Sequence, residues 1–144
     1  MEEFNLNGLS SLSRERYYNI WQRVKAGEKL EGEEKIIGDL MWQHEEYYNE
    51  WDSTDFERVF DPETDVNPFV HIMIDSIVIT QISKNDPPQT RFTYNLLIAK
   101  GHSHLEAIHK IDSVVVEEIW AIMKEGREFN EKQYVAKLKR LSKY

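Results

Sequence analysis

Residues 68–83 read PFVHIMIDSIVITQIS, and this stretch decides the fold. It opens on Pro68 directly after Asn67, an order typical of a helix N-cap followed by a proline in the first turn. Its apolar residues do not keep to one helical face: they are Phe69, Val70, Ile72, Met73, Ile74, Ile77, Val78, Ile79 and Ile82. A helix that is apolar nearly all round is normally surrounded by protein. The sequence therefore predicts a buried central helix over about 68–83.

The segments on either side also show helical periodicity, with almost no strand-like alternation. Five further helices are predicted, over about 13–26, 33–51, 88–100, 104–124 and 131–141. Gly27 and Gly101 follow two of them, as glycines commonly do at helix ends. The predicted fold class is all-α, a single-domain bundle of about six helices around the central one. The domain covers 1–144, with a loosely ordered N-terminal arm (1–12) and a basic C-terminal helix (130–144).

The composition is that of a globular protein: 40% of the 144 residues are hydrophobic, and the net charge is −8. Residues 28–66 contain 14 Asp and Glu but only 3 Lys and Arg, so we expect no nucleic-acid partner. Neither a signal peptide nor a membrane-spanning run is apparent, and cysteine is absent. A cytoplasmic location is the expectation. Trp and Tyr at both ends of the second predicted helix suit a homodimer or a protein partner as well as a core.

Two polar side chains interrupt the apolar central helix. His71 and Asp75 are four residues apart and therefore share one face, one turn from each other. Burial of a polar group without a partner costs about 1–3 kcal/mol, and burial of an isolated carboxylate costs far more. This pair must therefore meet each other, another helix, water or an ion, and it is the strongest functional indication in the sequence.

The stretch GHSHLEAIH, residues 101–109, contains three of the five histidines. Ser103 and Glu106 have the spacing of a capping box at a helix start. Glu106 and His109 also match the Glu-x-x-His half-motif of dimetal four-helix proteins. That half-motif occurs only once in the chain, so a dimetal site is not predicted. His109 is the histidine of this stretch expected to point inward.

Other catalytic patterns are incomplete. His44 lies on the apolar stripe of the second predicted helix, and His44-Glu45 begins a zinc-protease pattern that would need histidine, rather than Tyr48, to finish it. The chain has no cysteine nucleophile, no serine in a strand-to-helix elbow and no glycine-rich phosphate loop. The sequence therefore assigns no reaction, and whether the protein is an enzyme stays open.

The run NPFVHIMIDSIVITQISKNDPPQTR (67–91), followed by GHSHLEAIH, resembles the bacterial family catalogued as domain of unknown function 1841. The matching positions in this region are Asn67, Pro68, Phe69, His71, Gln81, Pro87, Pro88, Arg91, Gly101, His104, Glu106 and His109. Tyr17 with Trp21, and His44 with Glu46 and Tyr47, extend the likeness to about residues 14–125. The resemblance implies a helical fold with a polar core that includes Asn67, Gln81 and Arg91, and it implies no reaction.

Two positions depart from the family pattern. Asp75 replaces a second histidine of the central helix, and Tyr48 replaces a histidine after the His-x-Glu-Tyr segment. If the family binds a metal through those histidines, this member either uses a carboxylate or has lost the site.

Two hypotheses follow. The one favoured by the sequence alone is a non-catalytic structural or interaction domain with a buried His/Asp hydrogen-bond network and no cofactor. The alternative is a mononuclear metal-binding protein, with hydrolysis as one use of the ion. In that case His71, Asp75 and His109, with His44 or Glu106, would hold zinc, manganese or iron, since imidazole and carboxylate ligands suit these metals. The alternative predicts that the ligand atoms converge on one point.

Overall fold

The computed structural model describes residues 11–61, 64 and 67–143. In these residues the helices are α1 (Ser11–Lys25), α2 (Gly32–Gln43), α3 (Tyr48–Asp52), α4 (Pro68–Lys84), α5 (Pro88–Ala99), α6 (His104–Glu125) and α7 (Glu131–Ser142), with a 3₁₀ turn at Glu45–Tyr47. The predicted all-α fold is confirmed. None of the described helices is both long enough and apolar enough to cross a membrane.

The central stretch forms α4 as predicted, and Asn67 caps it. The Asn67 side-chain oxygen accepts hydrogen bonds from the backbone N–H groups of Phe69 and Val70, at 3.0 and 3.3 Å. From Pro68 to Ile82, every side chain of α4 is buried or half-buried. The prediction of a buried helix is therefore confirmed from Pro68 to Ile82.

The chain divides into two compact units, and the boundary between Ser76 and Ile77 lies inside α4. The first unit contains α1, α2, the 3₁₀ turn, α3 and the beginning of α4. The second contains the end of α4 and α5, α6 and α7. The domain limits predicted from the sequence stay predictions.

Aromatic rings surround the start of α4 in the first unit. Phe69 packs edge-on against Trp51 of α3, with ring centroids 5.4 Å apart. It also packs against Tyr17 of α1, at 5.9 Å and with the two rings tilted by 42°. The Arg14 guanidinium lies over the same Phe69 ring and donates to the backbone carbonyls of Phe56 and Arg58. These contacts fix the start of α4 against α1 and α3.

The second unit contains a buried acidic residue on α6. Glu118 is 1% exposed, and its carboxylate lies 3.3 Å from Arg127 and 3.0 Å from Lys137. One partner comes from the segment after α6 and the other from α7. Because the negative charge is compensated from both sides, Glu118 joins α6 to the chain that follows it.

Two sequence expectations change. The second predicted helix was expected to run without a break to Trp51, but α2 ends at Gln43 and a 3₁₀ turn and a short helix follow. The prediction of a loosely ordered N-terminal arm falls mainly on residues outside those described. Its last two residues, Ser11 and Leu12, belong to α1.

Candidate metal centre

The first two candidate residues come from one turn of α4. His71 Nε2 lies 3.3 Å from Asp75 Oδ2, as the four-residue spacing predicted. The Asp75 side chain is fully buried, whereas 25% of the His71 side chain is exposed. The pair therefore lies at the edge of the protein interior, with its carboxylate inside and its imidazole reachable by solvent.

The third residue, His44, follows the last residue of α2. Its Nδ1 lies 2.7 Å from the carbonyl oxygen of Leu40, and its own backbone N–H donates instead to Met41 at 3.3 Å. In a continuing α-helix, the N–H of residue 44 would donate to the carbonyl of residue 40. Here the imidazole of His44, rather than its backbone N–H, bonds to the Leu40 carbonyl. Side chains that compete with backbone N–H groups in this way disturb helices. This competition explains why the predicted long helix breaks at His44.

Two further carbonyls at the end of α2 also accept hydrogen bonds from side chains. Trp51 Nε1 donates to the Met41 carbonyl at 3.1 Å, and the Tyr48 hydroxyl donates to the Trp42 carbonyl at 2.5 Å. The end of a helix leaves such carbonyls without helical partners, and each bond made to them fixes the local chain direction. The corner that carries His44 is therefore held by three side chains in succession.

The ligand atoms of His44, His71 and Asp75 form a small triangle. The two Nε2 atoms are 3.2 Å apart, and Asp75 Oδ2 lies 3.3 Å from His71 Nε2 and 3.5 Å from His44 Nε2. In a tetrahedral zinc site with bonds of about 2.0–2.1 Å, ligand atoms are about 3.3–3.4 Å apart. In an octahedral site with bonds of about 2.1 Å, adjacent ligand atoms are about 3.0 Å apart. The triangle thus fits one face of a small coordination polyhedron, and closest that of a tetrahedron.

The Leu40 carbonyl determines where the His44 lone pair lies. A carbonyl only accepts, so Nδ1 of His44 carries the proton, and in the neutral ring Nε2 carries the lone pair. That lone pair points into a site that also contains the Asp75 carboxylate. Metal-ligating histidines typically donate their other N–H to a carbonyl in this way. His44 therefore has the tautomer of a metal ligand.

Tyr47 borders the same site. Its ring is parallel to the His44 imidazole, with centroids 6.0 Å apart and planes 8° apart, and edge-on to His71 at 6.2 Å. Partial burial raises the pKa of the Tyr47 hydroxyl, and the negative charges of Glu46 and Asp75 raise it further. The ring therefore forms a neutral wall beside the two imidazoles.

Other candidates from the sequence lie in the second unit. His109 is half-buried on α6, and its membership in a metal site stays a prediction. Glu106 is exposed and completes the predicted capping box: Ser103 Oγ accepts from the Glu106 N–H at 3.1 Å, and the Glu106 carboxylate accepts from the Ser103 N–H at 3.4 Å.

The polar residues implied by the resemblance make structural contacts. Gln81 Oε1 accepts from the hydroxyls of Thr90 and Tyr134, at 2.9 and 2.8 Å. Arg91 donates to the carbonyls of Ile82 and Ser83 at the end of α4, at 2.9 and 3.1 Å. With the Asn67 cap at the other end, α4 is tied at both ends by side chains.

The family model of a domain of unknown function (DUF1841) matches residues 10–140, and the chain belongs to this family. No match to the chain was found among curated proteins or among solved structures. The family has no assigned activity. The indication of a function therefore comes from the geometry of the site.

Two features of the site were not found from the sequence. The hydrogen bond between His44 Nδ1 and the Leu40 carbonyl depends on the path of the backbone. The sequence signal for it is the spacing of four residues, at which side chains often bond back to a helix carbonyl. Tyr47 was noted only as part of the family pattern, and its position beside both imidazoles depends on the break after α2.

Proposed function

We propose that the protein binds one divalent transition-metal ion through His44 Nε2, His71 Nε2 and Asp75 Oδ2. The observation that carries the proposal is the triangle of 3.2, 3.3 and 3.5 Å formed by these three atoms. Two imidazoles and a carboxylate suit zinc, iron and manganese, and the edge lengths favour zinc among them.

The buried charge of Asp75 supports the same proposal. Its carboxylate is fully buried, and removing a carboxylate from water costs several kcal/mol unless positive charge or hydrogen bonds compensate it. A divalent cation would attract all three corners at once.

The structural network that the sequence alone favoured is the competing function. It is supported by the helical spacing of His71 and Asp75, which brings the pair together on α4 without any ion. In that case protons on both Nε2 atoms would let the two imidazoles donate to the Asp75 carboxylate. The two functions differ in whether the three side chains take up a metal together.

The test measures metal content and affinity. Untagged protein purified without added metal would be assayed by inductively coupled plasma mass spectrometry, and metal-stripped protein would be titrated with zinc, manganese and ferrous iron against a competing chelator. We expect one equivalent of metal per chain. His71→Ala and Asp75→Asn are expected to weaken binding by at least about a hundredfold, since even outer-shell changes cost ten- to a hundredfold.

His102→Ala is the matched control. His102 is a half-buried histidine at the entrance to α6, and its Nδ1 lies 3.4 Å from the Glu106 carboxylate. Its removal should leave affinity unchanged. His109→Ala and Glu106→Ala in the same series test the ligands predicted in the second unit. Wild-type protein that takes up no metal, or equal affinity in His71→Ala and His102→Ala, would refute the proposed site and leave the structural network.

A further inference from the structure

Tyr47 contacts both proposed histidine ligands with one ring. It is parallel to His44 at 6.0 Å and edge-on to His71 at 6.2 Å, whereas the imidazoles themselves meet edge-on with centroids 5.0 Å apart. The torsion that rotates an imidazole about its bond to Cβ has broad minima. The plane of each ring is therefore set by what packs against it.

The two imidazoles differ in how firmly other groups orient them. His44 is 1% exposed and is bonded through Nδ1 to the Leu40 carbonyl. His71 has a quarter of its side chain exposed, so packing restrains its ring on fewer sides. A ring that packs edge-on against His71 therefore constrains the orientation of the His71 imidazole more than that of the His44 imidazole.

Tyr47 is itself held in place. Its ring packs edge-on against Trp51, with centroids 5.8 Å apart, and its backbone N–H donates to the His44 carbonyl at 3.0 Å. Trp51 is buried and donates from Nε1 to the end of α2. The wall formed by Tyr47 is therefore supported from behind by a side chain with little freedom to move.

We infer that Tyr47 is a positioning residue for the metal site, holding the His44 and His71 rings so that both Nε2 atoms face Asp75. This inference rests on the proposed function. Ligand groups bind best when their rotamers are fixed by packing before the ion arrives. The aromatic ring performs this role, so the phenol hydroxyl is not needed for it.

A second tyrosine provides a matched control. Tyr94 of α5 is also half-buried, and its ring lies edge-on to a histidine that is not a proposed ligand, His104, with centroids 5.7 Å apart. Loss of the Tyr94 ring should lower the melting temperature and leave the metal site unchanged. A general effect of removing an aromatic ring is thereby separated from an effect on the ligands.

The experiment compares zinc affinity and the visible absorption of the cobalt(II) form in wild type, Tyr47→Phe, Tyr47→Leu and Tyr94→Leu. Tyr47→Phe should bind within about threefold of wild type with the same cobalt spectrum. Tyr47→Leu should bind about tenfold more weakly and show a changed cobalt spectrum. Circular dichroism tests whether each variant is folded. If Tyr47→Leu is unfolded, Tyr47→Met replaces it.

Three results would overturn the inference. One is unchanged affinity and spectrum in Tyr47→Leu. Another is an equal loss in Tyr94→Leu, and the third is a loss in Tyr47→Phe as large as that in Tyr47→Leu. Absence of zinc and cobalt binding by the wild type would instead refute the proposed function and the inference with it, so the two failures are distinguishable.

Discussion

His44 Nδ1 lies 2.7 Å from the carbonyl oxygen of Leu40, where the backbone N–H of residue 44 would donate in an uninterrupted helix. One hydrogen bond therefore ends α2 and determines which nitrogen of His44 carries the proton. The break in the helix and the orientation of the proposed ligand have the same cause.

The first prediction concerns this tautomer. In metal-free protein, long-range ¹H–¹⁵N correlation should show the His44 ring protonated at Nδ1, since only a donor can bond to the Leu40 carbonyl. Zinc should then shift the Nε2 resonance and leave Nδ1 protonated. A His44 ring protonated at Nε2 alone would contradict the geometry.

Metal should also stabilise the folded chain. A ligand that binds only the native state adds about 2.7 kcal/mol at a free concentration of one hundred times Kd. For a chain of this length, that should raise Tm by about 5–10 °C, and a chelator should reverse the rise. Differential scanning calorimetry would measure it. An equal rise in Asp75→Asn would show that the stabilisation comes from another site.

Ser103→Ala tests the role of Glu106. Loss of the cap hydroxyl should destabilise the protein by about 1 kcal/mol in chemical denaturation, because the Glu106 N–H at the start of α6 loses its acceptor. Glu106→Ala should have a similar effect. If Glu106 only caps the helix, zinc affinity will be the same in both variants as in wild type. A weaker affinity in Glu106→Ala alone would instead support Glu106 as a ligand.

The hydroxyl of Tyr134 should titrate late. Burial raises its pKa most, hydrogen bonds with Thr90 and Gln81 lower it, and the negative charges of Asp112 and Glu118 raise it again, which leaves the pKa at about 12. Because the folded pKa exceeds the ordinary value of 10.0, stability from this group is complete below about pH 10. It is lost as the pH rises towards 12.

The measurement for Tyr134 is ultraviolet absorbance at alkaline pH, compared between wild type and Tyr134→Phe. The difference between the two titration curves isolates this one hydroxyl. We expect its midpoint close to 12 for as long as the chain is folded. A midpoint at the ordinary tyrosine value would mean that the hydroxyl is solvated.

Much of the fold followed from local rules. Asn67 with Pro68, and Ser103 with Glu106, marked helix starts because caps depend on side chains within the same turn. His71 and Asp75 were paired correctly because the helical repeat places them on one face. The break at His44 was missed because a helix-period pattern continues through the segment, and periodicity does not register a side chain that competes for a backbone carbonyl.

The all-α class, the buried α4 and the placing of a histidine and a carboxylate on one of its faces could all be read from the primary structure. These depend on spacing along a single helix, which the chain's own geometry dictates. That His44 joins the pair follows from the packing of the folded chain, because residues 44 and 71 lie on different segments that meet only after α2 ends and the chain turns. The triangle on which the proposed metal site rests is a consequence of that turn.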